Sequence, residues 1–556
     1  MNEPNLAKRW LKHAEKDPSA EAIVHWVAGE TPKRWCYGDL MLRAGGFAQE
    51  LTSRGVRPGE VCAIIARHNP DFYPLYLAIV FLGALPAVLA YPNDRIHPDK
   101  FRRGLMGMAQ KSGLDWLLTE ASLTPILAPL IDGEHSTLRG ALFPFEWPES
   151  RATPNPVVQS AASAALLQHS SGTTGLQKAV VLSHHAVLDH LDAYAKAIHL
   201  SSDDRIVSWL PLYHDMGLIA ALHLSLGKGL PLIQMSPFEW VSAPVLLLIA
   251  LFEERGTLSW LPNFAYNHIA LRANEEDLEG VSLAHVRMLV NCSESVRAES
   301  HDRFYDKFSR YGLRREALAA CYAMAEATFA VTQTEPNKEA RKLVVDRQAL
   351  AEGRVEIASP SAPSRTCVSS GKPIEGCETR IIDEAGNTLG EARVGEIFVT
   401  SRSLFDGYRN EPEKTAEVLQ NGVYATRDQG FLYDGEIFVV GRKKDLMIVA
   451  GKNLYPEDVE DAIGAVPGIL LGRVVAFGMD DEGAGTESVC VIVETPLVTP
   501  GEQETLRRLI KQAGMAIDVT ITRVFLAKPR WLIKSSSGKL SRRDNRERAL
   551  AELDGG

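Results

Sequence analysis

A chain of 556 residues is too long to fold around one hydrophobic core, so several packed units are expected. Its 45% apolar content excludes a disordered chain, and a formal charge of −10 argues against nucleic acid or an anionic membrane as the main partner. The seven cysteines are scattered without a CxxC pair or metal-ligand spacing, and "MNEPNLAKRW" lacks the charged-then-apolar order of a signal peptide, so reduced thiols and a cytoplasmic location are expected.

In chain order, the amphipathic stretch 38–55 precedes the apolar run "VCAIIA" (61–66), and the stretch 100–114 precedes "WLLTE" (116–120). This alternation is the rhythm of an α/β protein with largely parallel sheets. Between them, residues 72–92 form an uncharged run long enough for a membrane span. Pro74, Gly83 and Pro86 divide it into a helix-sized piece and a strand-sized piece, "AVLAY" (87–91), so a buried helix and strand are predicted and no membrane span.

Next comes "HSSGTTGLQKAVVLSH" (169–184). Gly172 and Gly175 free the backbone to turn its amides toward one point, Ser171, Thr173 and Thr174 add hydroxyl donors, and Lys178 adds charge. Such a nest suits a polyphosphate. The spacing is not that of a Walker A loop, since no Ser or Thr follows the lysine. A polar surface loop has the same composition.

From about Gly376 the apolar runs are joined by Gly, Asn and Asp turns, which predicts hairpins of a smaller β unit. After Gly441 a compact unit begins, with a helix over "YPEDVEDAIGAV" (455–466) carrying Pro456 in its first turn, strands in 472–478 and 488–496, and a second helix around 502–514. Four more segments stand out in order: "SWLPLYHDMGL" (208–218), "CYAMAEATF" (321–329), the block 424–460 containing "GEIFVVGRKKDLMIV", and "KSSSGKLSRR" (534–543).

Together with the loop, these segments resemble the adenylate-forming superfamily of acyl-CoA synthetases, luciferases and peptide-synthetase adenylation domains, and most of all its fatty acyl-AMP ligase branch. The resemblance implies a large N-terminal α/β domain over 1–441, built of two α/β subdomains and a small β subdomain, and a small mobile α+β lid over 442–556. It implies ATP-dependent activation of a carboxylic, here fatty, acid to an acyl-adenylate, with pyrophosphate released. The acyl group would then pass to the phosphopantetheine thiol of an acyl carrier protein. Free CoA is the alternative acceptor, and a non-catalytic nucleotide-binding protein of the same fold is the alternative of another class.

By the same resemblance, Ser171, Gly172, Thr173, Thr174, Gly175 and Lys178 hold the phosphates of ATP, while Glu326 and Thr174 hold Mg²⁺. Tyr322, Ala323 and Met324 flank adenine together with Ser293 and Glu294, Asp428 takes the ribose hydroxyls, and Arg442 adds a contact to ribose or phosphate. Lys539 bridges the attacking carboxylate and the α-phosphate, His214 orients the acid, and Lys444 is the hinge. Apolar residues of 208–218 and 258–271 suit an aliphatic chain. Gln177, Ala179 and Ala323 depart from the family pattern, as does "NCSESV" (291–296). The polar stretch 331–373 has the composition of a surface loop. In the resemblance it corresponds to the insertion that fatty acyl-AMP ligases carry, packed against the lid. A basic tail of Lys534, Arg542, Arg543 and Arg546 would meet an acidic carrier protein.

Overall fold

The computed structural model describes residues 5–92, 98–131, 138–170, 178–449, 452–481, 486–517, 519–534 and 539–552. The α/β reading holds. One sheet runs, in spatial order, through strands Gly407–Tyr408, Lys178–Ser183, Ala164–Ser170, Leu85–Val88, Val61–Ile65, Trp116–Thr119 and Gly140–Leu142. Its central strands pair in parallel, and every residue of Val61–Ile65 is buried, as expected where both faces of a sheet are covered.

The uncharged run folds as the helix Phe72–Phe81, all ten residues buried, followed by the strand Leu85–Val88. No helix among the described residues is long and apolar enough to cross a membrane. Pro86 does not precede the strand as predicted; it lies inside it, opposite Cys62. The N–H groups of Leu85 and Leu89 donate to the carbonyls of Glu60 and Ile64. The nitrogen of Pro86 therefore faces the other neighbour, where the ladder is registered only at Ala87 and Leu167, and its missing N–H is tolerated.

A second sheet orders strands Lys372–Pro373, Ala330–Gln333, Leu318–Ala323, Met288–Asn291, Leu258–Leu261, Ile206–Ser208, Leu232–Met235, Glu21–Trp26 and Lys33–Cys36. Four adjacent members, Leu318–Ala323, Met288–Asn291, Leu258–Leu261 and Ile206–Ser208, are mutually parallel. Their carboxyl ends open side by side into the segments that begin at Met324, Cys292, Pro262 and Trp209. In open α/β sheets this edge is where ligands bind.

The predicted hairpins form an antiparallel sheet that includes Cys377–Ile382, Gly395–Ser401, Val423–Tyr433 and Glu436–Arg442. The charged stretch 331–373 is more ordered than its composition suggests. Strands Lys342–Asp346 and Ser364–Val368 pair antiparallel, and Leu343, Val345 and Leu350 pack in one core with Phe431, Phe438 and Tyr455.

The C-terminal part has its own core of Met447, Val459, Ile463, Val491 and Ile510 among others. It holds the helix Pro456–Gly464, strands Val474–Asp481 and Thr486–Glu494, and the helix Pro500–Met515, whose N-terminus is closed by a Thr499–Glu502 capping box. The sequence reading missed the third strand, Ile521–Ala527, and the helix Arg542–Glu552.

Two members of the expected basic tail are turned inward. Arg542 reaches Glu457 at 2.7 Å, Asp445 at 2.9 Å and Glu460 at 3.0 Å. Lys534 stands 5.0 Å above the Phe264 ring. Arg543 pairs with Glu547, one turn away on its own helix.

Removing one partner of a buried ionic network strands the others. Arg542→Ala is therefore expected to cost the C-terminal unit about 3 kcal/mol. Calorimetry should show its unfolding transition moved to lower temperature; an unmoved transition would mean that the three carboxylates do not depend on the guanidinium.

Candidate active site

Strands Ala164–Ser170 and Lys178–Ser183 pair antiparallel, with Ser170 opposite Lys178, and so deliver both ends of the Ser/Gly/Thr loop to one point. Ser171, Gly172, Thr173, Thr174 and Gly175 themselves lie outside the described residues. Lys178 is placed: its ammonium sits 4.2 Å above the Tyr408 ring. The Tyr408 hydroxyl donates to Glu326 Oε1 at 2.8 Å. One tyrosine thus links the lysine of the loop to the carboxylate expected at the metal. Sequence reasoning missed it, because nothing around "FDGYRN" marks a ligand; its place comes from the strand Gly407–Tyr408, which pairs with Val180 and Val181. Burial first, and Glu326 second, push the Tyr408 phenol well above its ordinary value, so it remains a donor.

Glu326 occupies a single 3₁₀ turn, Ala325–Ala327, between two antiparallel strands, not the Ala-rich helix its neighbours suggest. Thr328, at φ +66°, closes the turn, and its hydroxyl donates to the Ser403 carbonyl at 2.7 Å. No group of three His, Cys, Asp or Glu side chains placed to hold a metal ion occurs among the described residues. A lone carboxylate fits Mg²⁺, which takes one or two carboxylates and fills its remaining positions with phosphate oxygens and water.

Tyr322, at the end of Leu318–Ala323, donates its hydroxyl to Asp428 Oδ2 at 2.7 Å. Asp428 and Arg442 face each other across the hairpin Val423–Tyr433/Glu436–Arg442, and Arg442 Nε lies 3.2 Å from Asp428 Oδ1. The carboxylate is 16% exposed and the guanidinium 51%, so the pair has one face toward solvent. Ala323 and Met324 continue from Tyr322 into the Glu326 turn, where the Met324 N–H donates to the Phe329 carbonyl at 2.8 Å.

Residues 208–218 leave the end of Ile206–Ser208 and turn into a helix with wide π-type turns, Met216–His223. Gly217 is required there, since a Cβ would lie 2.4 Å from the Pro211 carbonyl oxygen. His214 Nδ1 lies 2.6 Å from Asp215 Oδ1. The Gln168 amide donates to the Tyr213 carbonyl at 2.9 Å, tying this segment to the strand that leads into the loop. Burial alone would raise the Asp215 carboxyl, but the His214 ring and the Lys539 ammonium outweigh it and hold the group below the usual carboxylate range.

Lys539 therefore reaches this place from the other end of the chain. Its charge interacts with Asp215, Glu294, Arg442 and Cys292. Burial, then Arg442, lowers its affinity for a proton; Glu294 and Asp215 oppose them. Ser293 has φ +68°, and the next residue, Glu294, accepts the Phe264 N–H at 3.0 Å. Glu294 is near enough to Lys539 for its charge to favour the protonated amine. Lys444 is exposed in the turn Lys443–Asp445 that follows the hairpin.

The family model described as AMP-binding enzyme matches residues 10–409. The medium-chain-fatty-acid–[acyl-carrier-protein] ligase JamA of Moorena producens is 30% identical over 539 residues, 91% of this chain and 88% of that protein. A solved structure from studies of fatty acyl-adenylate ligases of E. coli and L. pneumophila superposes with a TM-score of 0.91 at 25% identity, covering 100% of this chain and 99% of that one. The fatty acyl-adenylate ligase of L. pneumophila in complex with acyl adenylate and pyrophosphate has a TM-score of 0.75 at 28% identity, over 98% and 96% of the two chains.

Asp428→Ala removes the anchor shared by Tyr322 and Arg442. It is expected to weaken AMP binding at least tenfold, about 1.5 to 3 kcal/mol for charge-assisted hydrogen bonds. Titration calorimetry measures this; unchanged affinity at an unchanged melting temperature would place the nucleotide elsewhere.

Proposed function

Because the chain belongs to the AMP-binding enzyme family, we propose that it activates a fatty acid with ATP and hands the acyl group to the phosphopantetheine thiol of an acyl carrier protein. The observation that carries this reading is that Lys539 lies within electrostatic reach of Asp215, Glu294 and Arg442, and that Arg442 pairs with the Asp428 bonded to Tyr322. A carboxylate oxygen of the acid attacks the α-phosphorus, the bond to the bridging oxygen breaks, and pyrophosphate leaves. Lys539 lies where its charge opposes the negative charge that accumulates on the α-phosphoryl oxygens. Asp428 accepts from the ribose hydroxyls, Arg442 contacts ribose or phosphate, and Tyr322, Ala323, Met324 and Ser293 border adenine. Lys178 and the loop at Ser171–Gly175 grip the phosphates. His214, oriented through Nδ1 by Asp215, turns its other ring nitrogen to the acid. Glu326 and Thr174 would hold Mg²⁺, which would supply charge neutralisation to the polyphosphate.

In the second step the thiol sulfur attacks the acyl carbonyl and AMP departs. Lys539 fills the approach, so the unit from residue 442 onward must rotate, with Lys444 as the pivot. The choice of a carrier protein over CoA is supported by how the stretch 331–373 meets that unit. Arg365 Nε lies 3.0 Å from Asp458 Oδ1, the two side chains only 12% and 7% exposed, and its guanidinium also donates to the Val440 carbonyl at 2.8 Å. Breaking such a pair costs several kcal/mol, which limits how far the unit can swing. The resemblance to a ligase acting on an acyl carrier protein points the same way.

The enzyme is expected to catalyse Mg²⁺- and acid-dependent ATP/pyrophosphate exchange, and Lys539→Ala to slow it by about two to three orders of magnitude with ATP affinity nearly unchanged. No exchange with any acid from short to long chain would support a binding protein of the same fold. A loss below about threefold in the variant would remove Lys539 from the chemistry.

With acid and ATP present, mass spectrometry is expected to show acylated holo carrier protein and little acyl-CoA. Efficient acyl-CoA formation would reverse the choice of acceptor.

A further inference from the structure

The segment ending in Lys539 has a defined neck. Lys534 and Leu540 form an antiparallel bridge, and the Ser541 N–H donates to the Ile533 carbonyl at 3.2 Å. Asn545, fully buried, locks this neck to the C-terminal unit: its Oδ1 accepts the Ile533 N–H at 2.7 Å, and its amide donates to the carbonyls of Ile533 at 2.9 Å and Ser541 at 2.7 Å. The Leu532 N–H donates to Glu494 Oε1 at 2.7 Å. Lys539 is therefore adjacent to a neck fixed to its own unit. What the neck meets on the opposite side is Phe264, with the Lys534 ammonium 5.0 Å from the ring centroid.

Phe264 is a rigid platform. It lies in the first turn of the helix Asn263–Arg272, and its N–H is taken by Glu294 at 3.0 Å. Its ring stands edge-on to Trp209 at 6.2 Å and to Trp240 at 6.1 Å. Those two indoles stack on each other at 3.5 Å with an interplanar angle of 7°, both buried. Glu294 attracts both Lys534 and Lys539. Burial, then Arg473, pushes the Lys534 amine down to about 8, while Glu294 and Glu494 oppose them.

We infer that Lys534 is a positioning residue: its ammonium, seated on the Phe264 ring, clasps the neck of the arm against the large unit and so holds Lys539 beside Asp215 and Glu294. The clasp closes only in the arrangement that forms the adenylate and must open before the thiol enters. The inference rests on the acid-activating reading for its catalytic consequence, but the clasp itself is a physical contact that can be read without turnover.

Two measurements on the full chain test it. The first is deuterium uptake of peptides covering residues 529–545; the second is ATP/pyrophosphate exchange with lauric acid, set against acyl transfer from synthetic lauroyl-adenylate to a holo carrier protein. Lys534→Met and Phe264→Leu are each expected to raise the uptake and to lower exchange relative to transfer about tenfold, the size of a partly buried cation–π contact. The double variant should be no worse than either single one, and Lys534→Arg should restore both readouts. Unchanged uptake in Lys534→Met, additive losses in the double variant, or no rescue by arginine would each overturn the clasp. Uptake that rises in both variants while the wild type proves inactive toward every acid would keep the clasp and refute acid activation. An active wild type whose uptake and exchange ignore both substitutions would do the reverse.

Discussion

Two anions that must touch, a carboxylate and a polyphosphate, repel each other by about 4 kcal/mol at about 4 Å if the effective dielectric constant is about 20. In the proposed reaction, cations from distant parts of the chain would answer that constraint. Lys178 stands at the end of one sheet, Arg442 at the end of a hairpin, and Lys539 on an arm of the C-terminal unit. Each is held by a partner that fixes its direction: the Tyr408 ring for Lys178, Asp428 for Arg442, and the field of Asp215 and Glu294 for Lys539. Without those partners the cations would repel one another and turn to water.

The C-terminal unit holds the neck next to Lys539 firmly. Arg542, two residues beyond Leu540, is bound to Asp445, Glu457 and Glu460, so the turn at Lys443–Asp445, the helix Pro456–Gly464 and the helix Arg542–Glu552 share one ionic knot. Asn545 lies inside the same helix and fastens the neck. A neck fixed in this way turns rotation about a short turn into displacement of Lys539. The same inward use of Arg542 and Lys534 removes two charges from the basic surface expected for an acidic partner, leaving Arg543 and Arg546 near the end of the chain.

The stretch 331–373 shows why composition is a poor guide to order. Its charges suggest a solvated loop, but its hairpin buries Leu343 and Val345 against Phe431 and Phe438 and spends Arg365 on Asp458. The charge that makes it look exposed is the charge that seats it. The reading of the acceptor follows from that contact and not from a thiol-binding motif.

Much of the chemistry was legible in local sequence, because it depends on residue types at short spacing. Gly83 follows the end of a buried helix, Pro74 falls in its first turn, and alternating apolar runs specify parallel strands. The parallel core, the hairpins after Gly376 and the helix at Pro456 follow from such patterns. Tyr408 beside Glu326 is different, being 82 residues away, as is Tyr322 bonded to Asp428 across 106 residues. Phe264 beneath Lys534 and Arg365 against Asp458 are likewise contacts between segments with no common pattern. Sequence by itself determined which groups could do the chemistry, since that is a property of side chains and short backbone turns. Tertiary structure alone decided which partners orient them, because strand order and the docking of the C-terminal unit bring together residues whose separation along the chain carries no periodic signal.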